Sequence, residues 1–173
     1  MKSLRDHVSG GDPRALHGVF EAVQTVLRTP ARCAELVDLL FDADEIVRFR
    51  ASDAIEKLAA ARPDLITPFA ERLLTEAGRI HQPSVQWHLA QILTEIRLSA
   101  SQARRAAALL EQNLHSTTDW IVQNLTLEAL AYFALRGDMA VDRFVNIAKA
   151  HLDNPHKSVA RRATKLVAQF SAA

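Results

Sequence analysis

The chain has 173 residues, of which 49% are hydrophobic and 24% are charged, and its formal net charge is +1. These values are typical of one ordinary globular domain, and they argue against a disordered chain and against bulk electrostatic attraction to nucleic acid. No apolar run approaches the ~18 residues that a membrane-spanning helix needs, so we expect no membrane partner.

Short helices separated by turns are predicted along the whole sequence. Apolar residues recur at i, i+3, i+4 and i+7 without sustained alternation, which favours helices over strands. Several prolines directly follow capping residues, and a proline at the first helical position costs no hydrogen bond. Asp44, Ser101 and Asp119 are predicted caps without a proline. The predicted helices, in chain order, are residues 2–9, 13–28, 31–42, 45–61, 68–79, 83–98, 101–115, 119–136, 139–153 and 156–171.

Four valines mark an internal repeat. Val47, Val85, Val122 and Val159, called here the anchor valines, are 38, 37 and 37 residues apart. Apolar or small residues follow each of them at offsets 4, 7, 8 and 11, and on a helix these offsets fall in one arc of roughly 100°. That arc is the predicted buried face. An earlier copy fits with Ala15 as its anchor, at a shorter spacing typical of a terminal repeat.

The segment from Asp44 to Ile55, with its acidic cap and its Val47-Arg48 pair, resembles the second helix of a HEAT repeat. The resemblance implies an all-α, right-handed α-solenoid of about four to five helical hairpins. It also implies that the second helix of each hairpin lines a concave inner surface. The predicted single domain spans residues 1–173, with a degenerate first repeat at 2–28 and further repeats at 31–61, 68–98, 101–136 and 139–171.

No catalytic or metal-binding motif is found. The sequence has no phosphate-binding loop, nucleophile elbow or metalloprotease helix, and its seven histidines lack metal-ligand spacing on one helix. The single cysteine, Cys33, lies in an apolar helical pattern and is expected to be a core residue in a reducing compartment. Together with an amino terminus that does not resemble a secretory signal, this cysteine favours a cytoplasmic protein. We therefore expect no enzyme activity, no cofactor and no metal.

A binding face is predicted on the second helices, opposite the buried arc. Offset 2 is the position most opposed to that arc, and offset 6 lies beside it. An exposed aromatic pair, Phe49 and Trp87, would be a candidate anchor for another protein, since tryptophan is enriched at binding hot spots. Alternatively, helix bending or a neighbouring side chain covers both rings. Trp120, at a helix start, is expected to pack against the turn. The predicted protein-binding residues are His17, Phe49, Asp53, Trp87, Gln91, Asn124 and Glu128.

The charge distribution leaves a second function open. Residues 143–173 carry six basic side chains against one acid, whereas residues 35–76 carry ten acids against five basic side chains. Arg161, Arg162 and Lys165 could touch phosphates, and some HEAT-like proteins are DNA glycosylases that cradle the duplex in a basic groove. The leading hypothesis is a protein-binding adaptor whose partner is unidentified, and the alternative is a nucleic-acid-binding protein. An enzyme without a recognised motif is the third hypothesis.

Overall fold

The computed structural model describes residues 2–12 and 15–171, and within these ranges it is helical without any strand. The predicted all-α class is therefore confirmed. Four single turns of 3-10 helix accompany the α-helices, at Pro30–Arg32, Leu39–Phe41, Thr67–Phe69 and Ala77–Arg79. The α-helices are α1 Leu4–Val8, α2 Val19–Arg28, α3 Cys33–Asp38, α4 Glu45–Ala61, α5 Pro63–Ile66, α6 Ala70–Thr75, α7 Pro83–Glu95, α8 Ala100–Ser116, α9 Trp120–Leu135, α10 Val141–Lys149 and α11 Lys157–Ser171.

The chain divides into two compact units, Met1–Arg97 and Leu98–Ala173. In unit 1, α4 is the central element and packs against both α2 and α7. In unit 2, α8 packs against α9, α10 packs against α11, and α9 also contacts α11. The second helices of the four repeats that follow the degenerate first one are present, as α4 and α7 in unit 1 and as α9 and α11 in unit 2.

The predicted buried arc forms the core of both units. All four anchor valines are buried, and so are the residues at offsets 4 and 7 in every copy. At offsets 8 and 11 only Val167 and Phe170, near the carboxy terminus, are partly exposed. Phe170 still packs against the buried ring of Phe144, with centroids 4.7 Å apart. The repeat in the sequence is therefore a repeat in side-chain burial.

Helix boundaries differ from the prediction where local hydrogen bonding decides them. Asp44 and Asp119 cap α4 and α9 as predicted, accepting bonds from backbone N–H groups in the first turn. Ser101 is not a cap; Ser99 caps α8 instead and forms a reciprocal capping box with Gln102. The predicted helix 68–79 is broken into short turns that begin at Pro63, since proline favours a helix start and interrupts a helix interior.

The amino-terminal copy departs most from the prediction. Helix α2 begins at Val19 rather than residue 13, and Ala15, the proposed anchor, is exposed; Pro13 and Arg14 lie outside the described residues. Gly18 precedes the helix with φ +72°, and a Cβ atom there would lie 1.7 Å from the His7 carbonyl oxygen. The chain therefore needs glycine at this position to pass close to α1.

A buried arginine binds the described residues between α1 and α2, in the ranges 8–12 and 15–18. The Arg50 side chain is fully buried and donates to four backbone carbonyls of this segment. The Nε atom donates to the Ala15 oxygen at 2.9 Å, and Nη2 donates to the Asp12 oxygen at 2.7 Å. The Nη1 atom donates to Val8 and Gly10, at 2.8 and 2.5 Å. These carbonyls converge on one guanidinium, which a regular helix would not allow.

Candidate binding clefts on the second helices

Arg48 fixes the start of α4 relative to the start of α7. Its Nη1 donates to the Asp42 carbonyl in the turn before its own helix, at 2.7 Å. Its Nε donates to Oε1 of Gln82, the residue before α7, also at 2.7 Å. Gln82 returns a bond from Nε2 to the Glu45 carbonyl at 2.9 Å. One side chain next to an anchor valine therefore holds two neighbouring second helices in register.

Gln123 has the same role in unit 2. It follows Val122 as Arg48 follows Val47. Its Nε2 donates to the Thr117 carbonyl in the preceding turn, and its Oε1 accepts from Nδ2 of Asn154, both at 3.1 Å. The same register contact is thus made by a guanidinium in one unit and by an amide in the other.

An apolar cleft of about 220 Å³ lies between the amino-terminal halves of α4 and α7, and we call it the unit 1 cleft. The rings of Phe49 and Trp87 meet edge to face in it, with centroids 6.4 Å apart, and both are half-buried. His88 lies beneath them, stacked on Phe49 at 6.1 Å. The lining residues are Glu45, Ile46, Phe49, Gln82, Ser84 and Trp87.

A larger cleft of about 520 Å³ lies between α9 and α11, and we call it the unit 2 cleft. Trp120 is 46% exposed there, so the expectation that it packs against the turn is wrong. It is the first residue of α9, where a side chain has fewer helical neighbours than in the helix interior. The lining residues are Trp120, Ile121, Asn124, Leu125, Ser158, Arg161, Arg162 and Lys165.

The two clefts occupy equivalent positions in the repeat. Offsets −2, −1 and 2 of the first helix and offsets −1 and 2 of the next helix line both of them. Serine occupies offset −1 of the second contributing helix in both units, as Ser84 and Ser158. Elsewhere the chemistry differs: Glu45, Phe49 and Trp87 in unit 1 correspond to Trp120, Asn124 and Arg161 in unit 2. One backbone geometry therefore presents two different surfaces.

Asp53 is buried, and the prediction that it lies on the exposed binding face is wrong. Its Oδ1 accepts from Nζ of Lys57 at 2.7 Å and lies 3.3 Å from Nε2 of His88. The other oxygen, Oδ2, is buried without a hydrogen-bond partner. Burial raises the pKa of Asp53, but the hydrogen bonds from His88 and Lys57 outweigh it, so the net pKa lies below its ordinary 3.8. The carboxylate faces α7, not solvent.

Asn124 is the second predicted face residue that proves to be buried. Its Nδ2 donates to the Trp120 carbonyl at 2.9 Å and to Ser158 Oγ at 3.2 Å. It forms the floor of the unit 2 cleft instead of a projecting ridge. The remaining predicted residues are accessible: Gln91 is half-buried, while His17 and Glu128 are exposed.

The predicted phosphate-binding residues do not act as one set. Arg162 forms an ion pair with Glu128 across α11 and α9 and is half-buried. Arg161 and Lys165 are exposed, four residues apart on one face of α11, and neither has an acidic partner within the described residues. The unit 2 cleft therefore presents two uncompensated cations beside an exposed tryptophan.

Sequence reasoning missed the Ser52–His88 contact and the exposure of Trp120. Ser52 Oγ lies 2.8 Å from Nδ1 of His88, and both side chains are buried. No spacing in the sequence relates these two residues. The position of Trp120 at the first turn of a helix was a usable signal, because first-turn residues are covered on one side only. Among the described residues no group of three or more acidic, histidine or cysteine side chains could hold a metal ion.

Comparison with other proteins gives a structural likeness but indicates no function. No family model matches the sequence, and no curated protein matches it. A similar solved structure is the crystal structure of an engineered protein, a target of the Northeast Structural Genomics Consortium. The TM-score is 0.66 and the identity 18%, with 98% of this chain and 78% of that chain covered. At this identity the likeness shows the fold alone.

In the described residues no helix is long and apolar enough to cross a bilayer.

Proposed function

We propose that the chain is a HEAT-like α-solenoid that acts as a non-enzymatic adaptor, holding a segment of another protein on its second helices. The recurrence of a cleft at equivalent offsets in both units carries this proposal. Solenoid repeats bind extended partners by repeating one backbone geometry and varying its side chains. The register contacts of Arg48 and Gln123 support the assignment, because each of them joins a second helix to the turn before the next second helix.

The unit 1 cleft suits an apolar side chain of a partner. Its volume of about 220 Å³ is below the roughly 300–1,000 Å³ typical of small-molecule sites. Phe49 and Trp87 offer half-exposed ring surface, and tryptophan is enriched among residues that dominate binding energy. Glu45 is exposed at the edge of the cleft and would attract a basic residue next to the inserted side chain.

Two further features support an adaptor in the cytoplasm. The residues whose types could suggest a hydrolase, Ser52, His88 and Asp53, are all more than nine-tenths buried, and none of them lines either cleft. Cys33 is buried as well, and burial raises the pKa of its thiol to about 11, as expected of a core residue in a reducing compartment.

The test is a selection of randomised peptides displayed on phage against the full chain. The enriched peptides are then synthesised, and their affinity is measured for two variants in α7. Trp87→Ala removes a ring of the unit 1 cleft, whereas Leu93→Ala removes a fully buried core side chain. We expect Trp87→Ala to weaken a peptide that uses the unit 1 cleft by at least about tenfold.

The stability of the two variants supplies the control. Leu93→Ala is expected to cost about 2–5 kcal/mol in the free energy of unfolding, more than Trp87→Ala costs, and to leave peptide affinity unchanged in the folded fraction. A selection without any enriched peptide would contradict the adaptor function. So would enriched peptides whose affinity is unaffected by substitutions in either cleft.

A further inference from the structure

The unit 2 cleft combines an aromatic surface with positive charge. Trp120 is 46% exposed although tryptophan is normally well covered. Arg161 and Lys165 stand on the facing helix, α11, and are both exposed. Leu125 and Ile121 extend the apolar wall beside the indole. An aromatic side chain next to cations is the surface that an anionic and partly apolar ligand requires.

No described acidic side chain pairs with Arg161 or Lys165, the two exposed cations of this cleft. Glu128, one turn along α9 from Asn124, is paired with Arg162. Within the part of the chain that the structure describes, Arg161 and Lys165 have no acidic partner. The cleft therefore keeps two charges for a ligand, and an incoming carboxylate would not have to displace an existing ion pair.

The floor of the cleft is ordered by hydrogen bonds and can contribute one of its own. Buried Asn124 donates to Ser158 Oγ and to the Trp120 carbonyl, which joins the starts of α9 and α11. Ser158 is exposed and only accepts in this contact, so its hydroxyl hydrogen can be donated to a ligand. A carboxylate oxygen at the mouth of the cleft would meet a hydroxyl and two cations.

The number of available cations favours a protein segment over nucleic acid. Affinity for duplex DNA grows with the number of phosphates that are neutralised, about 6–10 in a strongly salt-dependent complex, whereas this cleft offers two free basic side chains. We infer that the unit 2 cleft binds an acidic segment of a partner protein, with carboxylates against Arg161 and Lys165 and an apolar side chain against Trp120. This inference rests on the proposed adaptor function and names the class of partner for one of its two clefts.

The peptide selection described above tests this inference with a charge-matched pair of variants. Arg161→Ala/Lys165→Ala removes both cations of the cleft. Arg104→Ala/Lys149→Ala removes the same charge from exposed positions on α8 and α10. We expect enriched peptides with acidic residues around an apolar one, a loss of at least about tenfold in affinity for the cleft variant, and little change for the control. Affinity should also fall as salt rises.

Three outcomes would overturn it, and they are distinguishable from one another. Neutral or basic peptides that are insensitive to the cleft variant but lost in Trp87→Ala would contradict this inference and leave the adaptor function standing. A selection without enriched peptides would contradict both. A single-stranded thymidine oligonucleotide that displaces the acidic peptide, and binds more tightly than it at physiological salt, would assign the cleft to nucleic acid.

Discussion

The Oγ atom of Ser52 lies 2.8 Å from Nδ1 of His88, and this contact joins α4 to α7 inside unit 1. On its other side the imidazole faces Asp53, with Nε2 3.3 Å from Oδ1. The residue types match a hydrolytic triad, but the ring is reversed, because in such a triad the serine faces Nε2 and the aspartate faces Nδ1. All three side chains are buried, so the arrangement connects two helices and gives no substrate access.

Ser52→Ala is therefore expected to act on stability alone. The substitution removes the contact with His88 and also the bond that Ser52 Oγ donates to the Phe49 carbonyl at 2.7 Å. Because the buried Nδ1 of His88 loses a partner, we expect a cost of about 1–3 kcal/mol, while His88 keeps its contact with Asp53. Chemical denaturation measures this change, with exposed Ser101→Ala as a control that should be neutral. Hydrolysis of p-nitrophenyl acetate should be the same for the wild type and Ser52→Ala. A serine-dependent rate above background would contradict the structural role.

Acid should destabilise unit 1 through Asp53. Its pKa is lower in the folded chain than the ordinary 3.8, so the folded state favours the ionised form. The resulting stability is fully present above pH 3.8 and is lost as the pH falls from there through the folded pKa. Melting temperatures measured against pH should fall in this window. The fall should be shallower in Asp53→Asn, which has no carboxyl to titrate at this position. If the melting temperatures of the wild type and the variant fall equally with pH, Asp53 is not the source of the acid sensitivity.

Arg50 should be the most sensitive polar position in unit 1. Its guanidinium is fully buried and donates to the carbonyls of Val8, Gly10, Asp12 and Ala15. Arg50→Lys keeps the charge, but a single ammonium cannot reach carbonyls on so many sides. We expect a loss of at least about 3 kcal/mol, since hydrogen bonds to a charged donor are worth about 1.5–3 kcal/mol each.

Hydrogen exchange gives the local readout for Arg50→Lys. Amides of residues 8–12 and 15–19 should exchange faster in the variant, while those of α9 in unit 2 keep their protection. Arg79→Lys, at an exposed position in the same unit, is the matched control and should change neither stability nor exchange. Unchanged protection at the amino terminus of Arg50→Lys would show that the guanidinium does not hold this segment.

Duplex DNA is expected to bind weakly. Arg162 is paired with Glu128, so the predicted phosphate-binding trio keeps two free cations. In gel-shift assays we expect no submicromolar complex at physiological salt, and only a weak, strongly salt-dependent one at low salt. Arg161→Ala/Arg162→Ala/Lys165→Ala should abolish the low-salt complex. A submicromolar complex at physiological salt would favour the nucleic-acid function over the adaptor.

The sequence predicted the buried face well because burial follows helical periodicity. Offsets 0, 4 and 7 are buried in all four copies, from Val47 to Leu166. The opposite face was less predictable, because a polar residue was taken as exposed. Asp53 and Asn124 are polar and buried, and their partners, His88 and Ser158, lie more than 30 residues away in the chain. Such pairings satisfy polar groups without leaving a periodic signal in the sequence.

The prediction for the amino-terminal copy was wrong for a related reason. The segment before α2 has the composition of a helix start, with Asp12 before Pro13. The carbonyls of its described residues Asp12 and Ala15 accept hydrogen bonds from Arg50, which lies 35 residues beyond Ala15, and a helix would use such carbonyls internally. Local capping preferences cannot anticipate a competing donor from a distant helix.

Partners are proposed to bind on the second helices, and the two tryptophans of the chain report on both clefts of this surface. One of them, Trp87, lines the unit 1 cleft, and the other, Trp120, lines the unit 2 cleft. Their indole N–H groups give two separate signals in a ¹H–¹⁵N NMR spectrum, assigned with Trp87→Phe and Trp120→Phe. During titration with an enriched peptide, we expect a saturable shift of at least one indole signal. Shifts confined to amides of the first helices α8 and α10, with both indole signals unmoved, would contradict it.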